Sequence, residues 1–258
     1  MPWAVRRRLL YLAGVSLFFG VLIAIPLAII MHKPATCFDG IQNQGETDID
    51  KGGPCVLLDE RYLQPSATLW ARSFSVRAGG YNAVAYVQNP NSGAGVEGVG
   101  YKFSLYDENN ILVAEDTGTT YIMPGAITPV FDGGIGTGNR KVARALFSFT
   151  EPLVWKSMKN VVSEVTVSNK LTADLTSSPR ISATIKNNDI KDVNDLVLVV
   201  TVFDTAGNAF ASSQTLVPHL GAGEATDVVF TWPQPFTLAV GQVDVLPLHA
   251  PSIVAPSQ

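Results

Sequence analysis

The residues of this sequence best suited to chemistry are gathered between Cys37 and Cys55. Asp39, Asn43, Glu46, Asp48 and Asp50 place oxygen ligands at short intervals among Gly40, Gly45, Gly52 and Gly53. Hard cations such as Ca²⁺ take roughly six to eight oxygens from flexible segments of this kind, so these five residues form a candidate calcium site. The spacing is not that of an EF-hand, and the other reading is an acidic loop that is simply solvated. The two flanking cysteines either pair, as thiols do in an oxidising compartment, or stay free. Pairing would close a loop whose chain-entropy stabilisation is about 3 kcal/mol. Which compartment applies has to come from the rest of the chain.

Elsewhere the raw material for catalysis is thin. His219 and His249 each stand close to a proline, with no second histidine, cysteine or serine motif at ligand spacing. Gly93-Ala94-Gly95 and Asp132-Gly133-Gly134-Ile135-Gly136-Thr137-Gly138 have the composition of phosphate cradles but lack a Lys-Ser/Thr pair and a following helix. Both read as loops, the second as a mobile one. Carboxylates on loops define no glycosidase pair by themselves. No catalytic or cofactor-binding residue is assigned, and the expectation is a protein that is not an enzyme.

The elements that position these residues begin with a membrane segment. Only 16% of the 258 residues are charged and 47% are hydrophobic, against about 25% charged in an average soluble domain, which excludes disorder. A net charge of −4 and a pI near 5.3 offer no surface for a phosphate backbone, so nucleic acid is not an expected partner. Part of the apolar excess is a single run, Leu9 to Met31, with no charged residue. At about 1.5 Å per residue it crosses the ~30 Å hydrocarbon core, with Pro26 as a candidate kink. It exceeds the about 7–15 apolar residues of a signal peptide, has no small-x-small cleavage site, and lacks a lipoprotein triplet before Cys37. Arg6, Arg7 and Arg8 outweigh His32 and Lys33 on its other side, so the positive-inside rule places the N-terminus in the cytoplasm. The expectation is a single-pass cell-membrane protein with extracytoplasmic C-terminal domains, on the side where Cys37 and Cys55 pair. The exported part is the more acidic for excluding those arginines, which disfavours tight adhesion to anionic lipid.

From about Ala71 the chain becomes short runs of Val, Ile, Phe, Tyr and Thr broken by Asn, Gly or Pro, the punctuation of an all-β sandwich. The runs recur in order. Asn82 to Pro90 matches Arg180 to Asn188, and Val99 to Asp107 matches Leu196 to Asp204. Polar turns follow each, then hairpin partners at Ile111 to Thr119 and Ala209 to Leu216, then Pro124 to Phe131 and Ala222 to Val229. Order kept at a nearly constant separation indicates two tandem copies of one domain. Ile181, Ala183 and Ile185 alternate with Ser182, Thr184 and Lys186, which gives that strand one wet face. Leu196 to Phe203 is apolar on both faces and should be covered on both sides, with a charge at Val199 or Val200 poorly tolerated. Phe103, Leu105, Phe147, Phe149 and Trp232 are expected in the core. Asp107, Asp204, Asn89 and Asn187 are expected to bond the backbone of their turns.

Two resemblances rest on these residues. Residues 37 to 55 resemble the C-x-D-G-x-x-N-x-x-E-x-D-x-D-C-G-G-x-C motif of bacterial surface proteins, with Lys51 where the motif has its second cysteine and Leu58 where a further cysteine often follows. That pattern fits the loss of one disulfide with Cys37–Cys55 kept. Phe103-Ser104-Leu105-Tyr106-Asp107 resembles the signature of the bacterial FxLYD domain, retained in the second copy as Val200-Thr201-Val202-Phe203-Asp204. Asn89-Pro90-Asn91 followed by Tyr101 is similar to the late-embryogenesis-abundant group-two β-sandwich. Together these imply exported, immunoglobulin-like sandwiches without a known activity.

The expected organisation is therefore a basic cytoplasmic N-terminus (1–8), a transmembrane helix (9–31), a stapled acidic linker (32–65), two immunoglobulin-like antiparallel β-sandwiches (66–157 and 158–250) and a tail (251–258). The expected function is a membrane-anchored interaction or scaffold module, an accessory subunit of a secretion or pilus-type envelope assembly with a protein partner. The alternative is a surface adhesin or cell-wall binder with a glycan partner, for which two small domains give a short reach. Residues 132–138 and the exposed edge strands are the expected binding surfaces.

Overall fold

The computed structural model describes residues 3–31 and 36–254. Residues 32–35 of the expected linker, with the flanking His32 and Lys33, and residues 255–258 of the expected tail lie outside the described residues. The chain is all-β behind one N-terminal helix, as its sequence implies. Helix α1 (Trp3–Met31) starts ahead of the apolar run, takes the three arginines into its first turns and continues through Pro26. Its side chains from Trp3 to Leu27 are all exposed. Long and apolar, with none of its side chains from Trp3 to Leu27 buried, the helix has the composition of a membrane span.

The first β half comprises β1 (Ala67–Arg77), β2 (Gly80–Gln88), β3 (Ala94–Tyr106), β4 (Leu112–Ile122), β5 (Ile127–Gly136), β6 (Arg144–Phe149) and β7 (Lys156–Lys159). One sheet has the order β1-β2-β5; the other pairs β3 with β4 on one side and with β6 and β7 on the other. The second half comprises β8 (Val165–Ala173), β9 (Arg180–Asn187), β10 (Val193–Asp204), β11 (Ala209–Leu220), β12 (Ala225–Thr231) and β13 (Val240–Leu248), in the sheets β8-β9-β12 and β11-β10-β13. A last strand, β14 (Ser252–Ile253), returns to pair with β7.

Alternation along the strands fills both cores. Ala83, Ala85 and Val87 of β2 face Tyr101, Phe103 and Leu105 of β3. Ile181, Ala183 and Ile185 of β9 face Leu196, Leu198, Val200 and Val202 of β10. Each large apolar side chain so buried contributes about 1.5–3 kcal/mol. Trp232 joins the second core as expected, and Phe147 and Phe149 are half-buried against the first.

A third apolar layer joins the halves, and it explains the two-faced strand. The outward residues of β10, Val197, Val199 and Phe203, pack on Trp70 and Phe74 of β1, Val84 and Tyr86 of β2, and Phe131 of β5. Trp70 lies 4.3 Å from the Tyr86 ring and 6.0 Å from that of Phe203. Asn82 Nδ2 donates across the seam to the carbonyl of Ser212 at 3.2 Å, and Arg72 Nη1 to that of Ala209 at 3.3 Å. The hydroxyls of Tyr86 and Thr201 lie near each other without hydrogen-bonding geometry, and burial pushes the Tyr86 hydroxyl pKa up. The outer face of β9 is wet as expected, but that of β2 is not, with Val84 at 0% and Tyr86 at 3% exposure.

The linker is welded to this body. Leu58 N–H donates to the carbonyl of Trp155 at 2.9 Å and Ser157 N–H to that of Val56 at 2.7 Å. Leu58 and Leu63 pack on Ala94, Val96, Val99, Ile122 and Trp155. Asn91 and Gln64 exchange two bonds, Gln64 N–H to Asn91 Oδ1 at 2.9 Å and Asn91 Nδ2 to the Gln64 carbonyl at 2.8 Å.

Candidate functional site

Cys37 and Cys55 are bonded, with their Cα atoms 5.4 Å apart. Inside the loop they close, the carboxylates turn inward to the backbone. Asp50 accepts from Asp39 N–H at 3.1 Å and from Gly40 N–H at 3.1 Å. Asp39 accepts from Ile41 N–H at 2.9 Å and from Asn43 Nδ2 at 3.0 Å. Glu46, only 7% exposed, accepts through Oε2 from Asn43 N–H at 3.1 Å and Asp50 N–H at 3.3 Å. Its Oε1 lies 3.1 Å from Cys55 Sγ, which in a disulfide has no proton to give, so this is a packing contact.

Asp48 leaves the group and pairs with Arg61 Nη2 at 2.9 Å. Arg61 also grips Asp59, whose pKa that side-chain hydrogen bond holds down to about 2. Among the described residues, the only three Cys, His or acidic ligand atoms that converge within 4.8 Å belong to Cys37, Glu46 and Cys55, and both sulfurs there are already bonded to each other. The five candidate calcium ligands thus share one loop, but Asp48 faces away to Arg61 and Asp39, Glu46 and Asp50 are engaged by N–H groups. Asn43 Oδ1 is buried without a partner. The arrangement builds a rigid loop first.

The four turn residues do what their types imply, in matched pairs. Asp107 Oδ1 accepts from Asn109 and Ile111 N–H, and Asp204 Oδ1 from Ala206 and Asn208 N–H. Asn89, 1% exposed, donates to the carbonyls of Ala94 and Met123. Asn187, 0% exposed, donates to those of Lys191, Leu220 and Gly221. Each Oδ1 accepts the N–H two residues on.

Neither histidine belongs to a constellation: His219 Nδ1 pairs with Asn194 Oδ1 at 2.8 Å and His249 Nδ1 with the Ala250 carbonyl at 2.7 Å. The glycine-rich segments are loops only in part, with Gly93, Thr137 and Gly138 outside the strands and the rest within them. Residues 132–136 belong to β5, paired with β2, and Ala94 and Gly95 begin β3. Gly95 is glycine for a packing reason, since a Cβ there would come within 2.9 Å of the Ile122 carbonyl oxygen and 3.2 Å of Met158 Sδ. Tyr101 Oη donates to Asp132 Oδ2 at 3.4 Å. Partial burial raises the Asp132 pKa, and the charge of Asp116 adds to it.

Sequence reasoning missed a cavity of about 160 Å³ between the halves. Its walls are Phe74 of β1, Phe210 of β11, and Trp232 and Phe236 flanking Pro233 and Pro235 in the β12–β13 connection. Phe236 lies edge-on to Phe210 at 5.2 Å and to Trp232 at 5.0 Å. Trp232 Nε1 is buried beside it with no partner. At about 3.3 Å per residue, Phe74 stands about 23 Å along β1 from its start beside the linker, so the cavity opens at the end of the body away from the stapled linker. The signal in the sequence was Thr231-Trp232-Pro233-Gln234-Pro235-Phe236, aromatic and proline alternating outside a strand.

No family model matches this sequence, and no curated protein matches it. Among solved structures, a red sea bream transglutaminase is similar at 10% identity and TM-score 0.25, over 70% of this chain and 29% of its own. A Bacteroides uniformis β-glucuronidase is similar at 14% identity and TM-score 0.20, over 67% and 22%. The chain spans less than a third of either protein, and likenesses of this size carry no statement about activity.

Proposed function

We propose that the protein is a membrane-anchored, extracytoplasmic interaction module, an accessory subunit of an envelope assembly of the secretion or pilus type, with its N-terminus in the cytoplasm. The observation that carries this reading is the joining of stapled loop, first half and second half into one body behind a single apolar helix. A rigid post at a bilayer suits a scaffold, because it presents a surface at fixed height without an ordering cost on binding. The arginines ahead of the apolar run support the orientation. The two halves are two copies of one FxLYD-like domain, a reading supported by their common strand order, by register shifts at Leu105/Tyr106 and Val202/Phe203, and by the matched Asp and Asn bonds. The partner-facing surface is the far end, around Phe74, Phe210 and Trp232.

The test is crosslinking in intact native cells, followed by tagged purification and mass spectrometry. The full chain is compared with one whose anchor is replaced by a cleavable signal. A few stoichiometric membrane partners that disappear without the anchor are expected. Recovery of glycans alone would favour the second reading, a surface or cell-wall binder, for which the aromatic walls of the far-end cavity are the specific observation. Recovery of neither would overturn both.

A further inference from the structure

The stapled loop is inside out. Asp39, Glu46 and Asp50 are directed into its hydrogen-bonded interior, while Phe38 is 83% exposed, Ile41 57% and Ile49 53%. Asp39 N–H bonded to Asp50 holds the segment of Phe38 and Ile41 beside that of Ile49. Arg61, bonded to Asp48, brings Tyr62 to the same loop at 72% exposure. Four large apolar side chains left in water on one rigid loop and its neighbour make this surface a candidate contact face.

The chain itself limits what that partner is. Thr36 N–H is bonded to Asp39 Oδ2 at 3.1 Å, so the loop begins there. Between Met31, where α1 ends, and Thr36 there are only five peptide steps, which at the maximal reach of about 3.6 Å each span about 18 Å. If α1 crosses the bilayer with Met31 at its surface, Thr36 and the start of the loop lie within that distance of the surface whatever the rest of the body does. Phe, Ile and Tyr are side chains that gain by leaving water for the region where headgroups meet acyl chains. The loop is already ordered by its disulfide and internal bonds, so little entropy is lost on contact. Its carboxylates, engaged inward, still disfavour an anionic surface, which points to zwitterionic lipid.

We propose that the stapled loop rests on the bilayer that α1 crosses, with Phe38 and Ile41 seated at the headgroup–acyl boundary, and so fixes the tilt of the post above it. The proposal rests on the reading of α1 as a span. Its test uses the full chain in phosphatidylcholine nanodiscs, with benzoylphenylalanine replacing Phe38, Ile41 or Ile111 one at a time. Ile111 is the control, 56% exposed in the β3–β4 turn at the end of β3 remote from the linker. After irradiation, lipid adducts at positions 38 and 41 are expected at about ten times the yield at 111. Yields at 38 and 41 no higher than at 111, or adducts formed only with protein, would overturn the placement of the loop. Failure of the unmodified chain to float with the nanodiscs would instead overturn the span, and the placement with it.

Discussion

Asn89 and Asn187 each hold together a turn, a neighbouring hairpin and their own backbone from a fully buried position, so alanine there leaves several carbonyls facing an apolar interior. A buried group left unpaired costs about 1–3 kcal/mol. N89A and N187A are therefore expected to lose about 3 kcal/mol each in urea denaturation, and a loss below about 1 kcal/mol would show that water replaces the amide. Asp132 has the opposite sign. Burial raises its folded pKa above the ordinary aspartate value, so the charged carboxylate is a burden at neutral pH that disappears as pH falls through the folded pKa and below the unfolded one. D132N, which keeps an acceptor for Tyr101, is expected to raise the thermal midpoint by a few degrees at pH 7 and by nothing below about pH 3.5; a gain independent of pH would point to packing instead. For the carboxylate loop, a ligand bound only to the folded form must raise the midpoint. A Ca²⁺-against-chelator melting comparison should show such a shift if the loop of Asp39, Asn43, Glu46 and Asp50 takes an ion, and coincident curves would leave these residues as loop builders. The types of these residues announced their tasks, because an Asx side chain at a turn has few partners within reach. Which carboxylates turn inward was not legible, since that depends on φ values such as those of Gln44 and Asp50, both in the left-handed region.

At the scale of elements, β10 was readable as a strand with two dry faces, but not what covered the second. Alternation gives the face of a residue and says nothing of its distant partner. The structure separates the two faces cleanly: Val199 looks across the seam at the first half, whereas Val200 looks into the second core. Charges at adjacent positions should therefore break different things. V199D is expected to leave each half folded while loosening their contact, so that a single unfolding transition splits into two. V200D is expected to unfold the second half outright and leave a native-like signal from the first. If V199D unfolds like V200D, the seam is part of one indivisible core. The same limit hid the dry outer face of β2: Asn82 to Gln88 and Arg180 to Lys186 look alike as alternating strands, and only the docking of one half on the other distinguishes them. The far-end cavity was missed for a related reason, because Phe74, Phe210 and Trp232 come from three separate stretches of the sequence.

At the scale of the whole molecule, the two halves stack through unlike sheets, the β1-β2-β5 sheet of the first on the β11-β10-β13 sheet of the second. On the proposal that the two halves are copies of one domain, a contact between their different faces does not close on itself, and repeated it would build an open stack. What ends the stack after two units can be read from strand position. Where β10 offers Val199 and Thr201, the corresponding outward positions of β3 are Lys102 and Ser104, both bound to Glu115, at 2.9 and 2.8 Å. Where β2 offers Val84 and Tyr86, β9 has Ser182 and Thr184, the latter donating to Asp227 at 2.7 Å. The two free faces thus carry polar caps on their central strands, as the terminal units of repeat proteins do, while Leu146 beside Ser104 and Leu171 and Val229 beside Ser182 stay exposed. Exchanging the caps for the seam residues should therefore restore stacking between molecules. The variant K102V/S182V/T184Y, with α1 replaced by a cleavable signal, is expected to gain mass continuously with concentration in sedimentation equilibrium, without the plateau of a closed dimer. The parent chain in the same background should show no such growth. A plateau at twice the parent mass would mean that the new faces meet like to like, so that the internal seam is not the template for the external one.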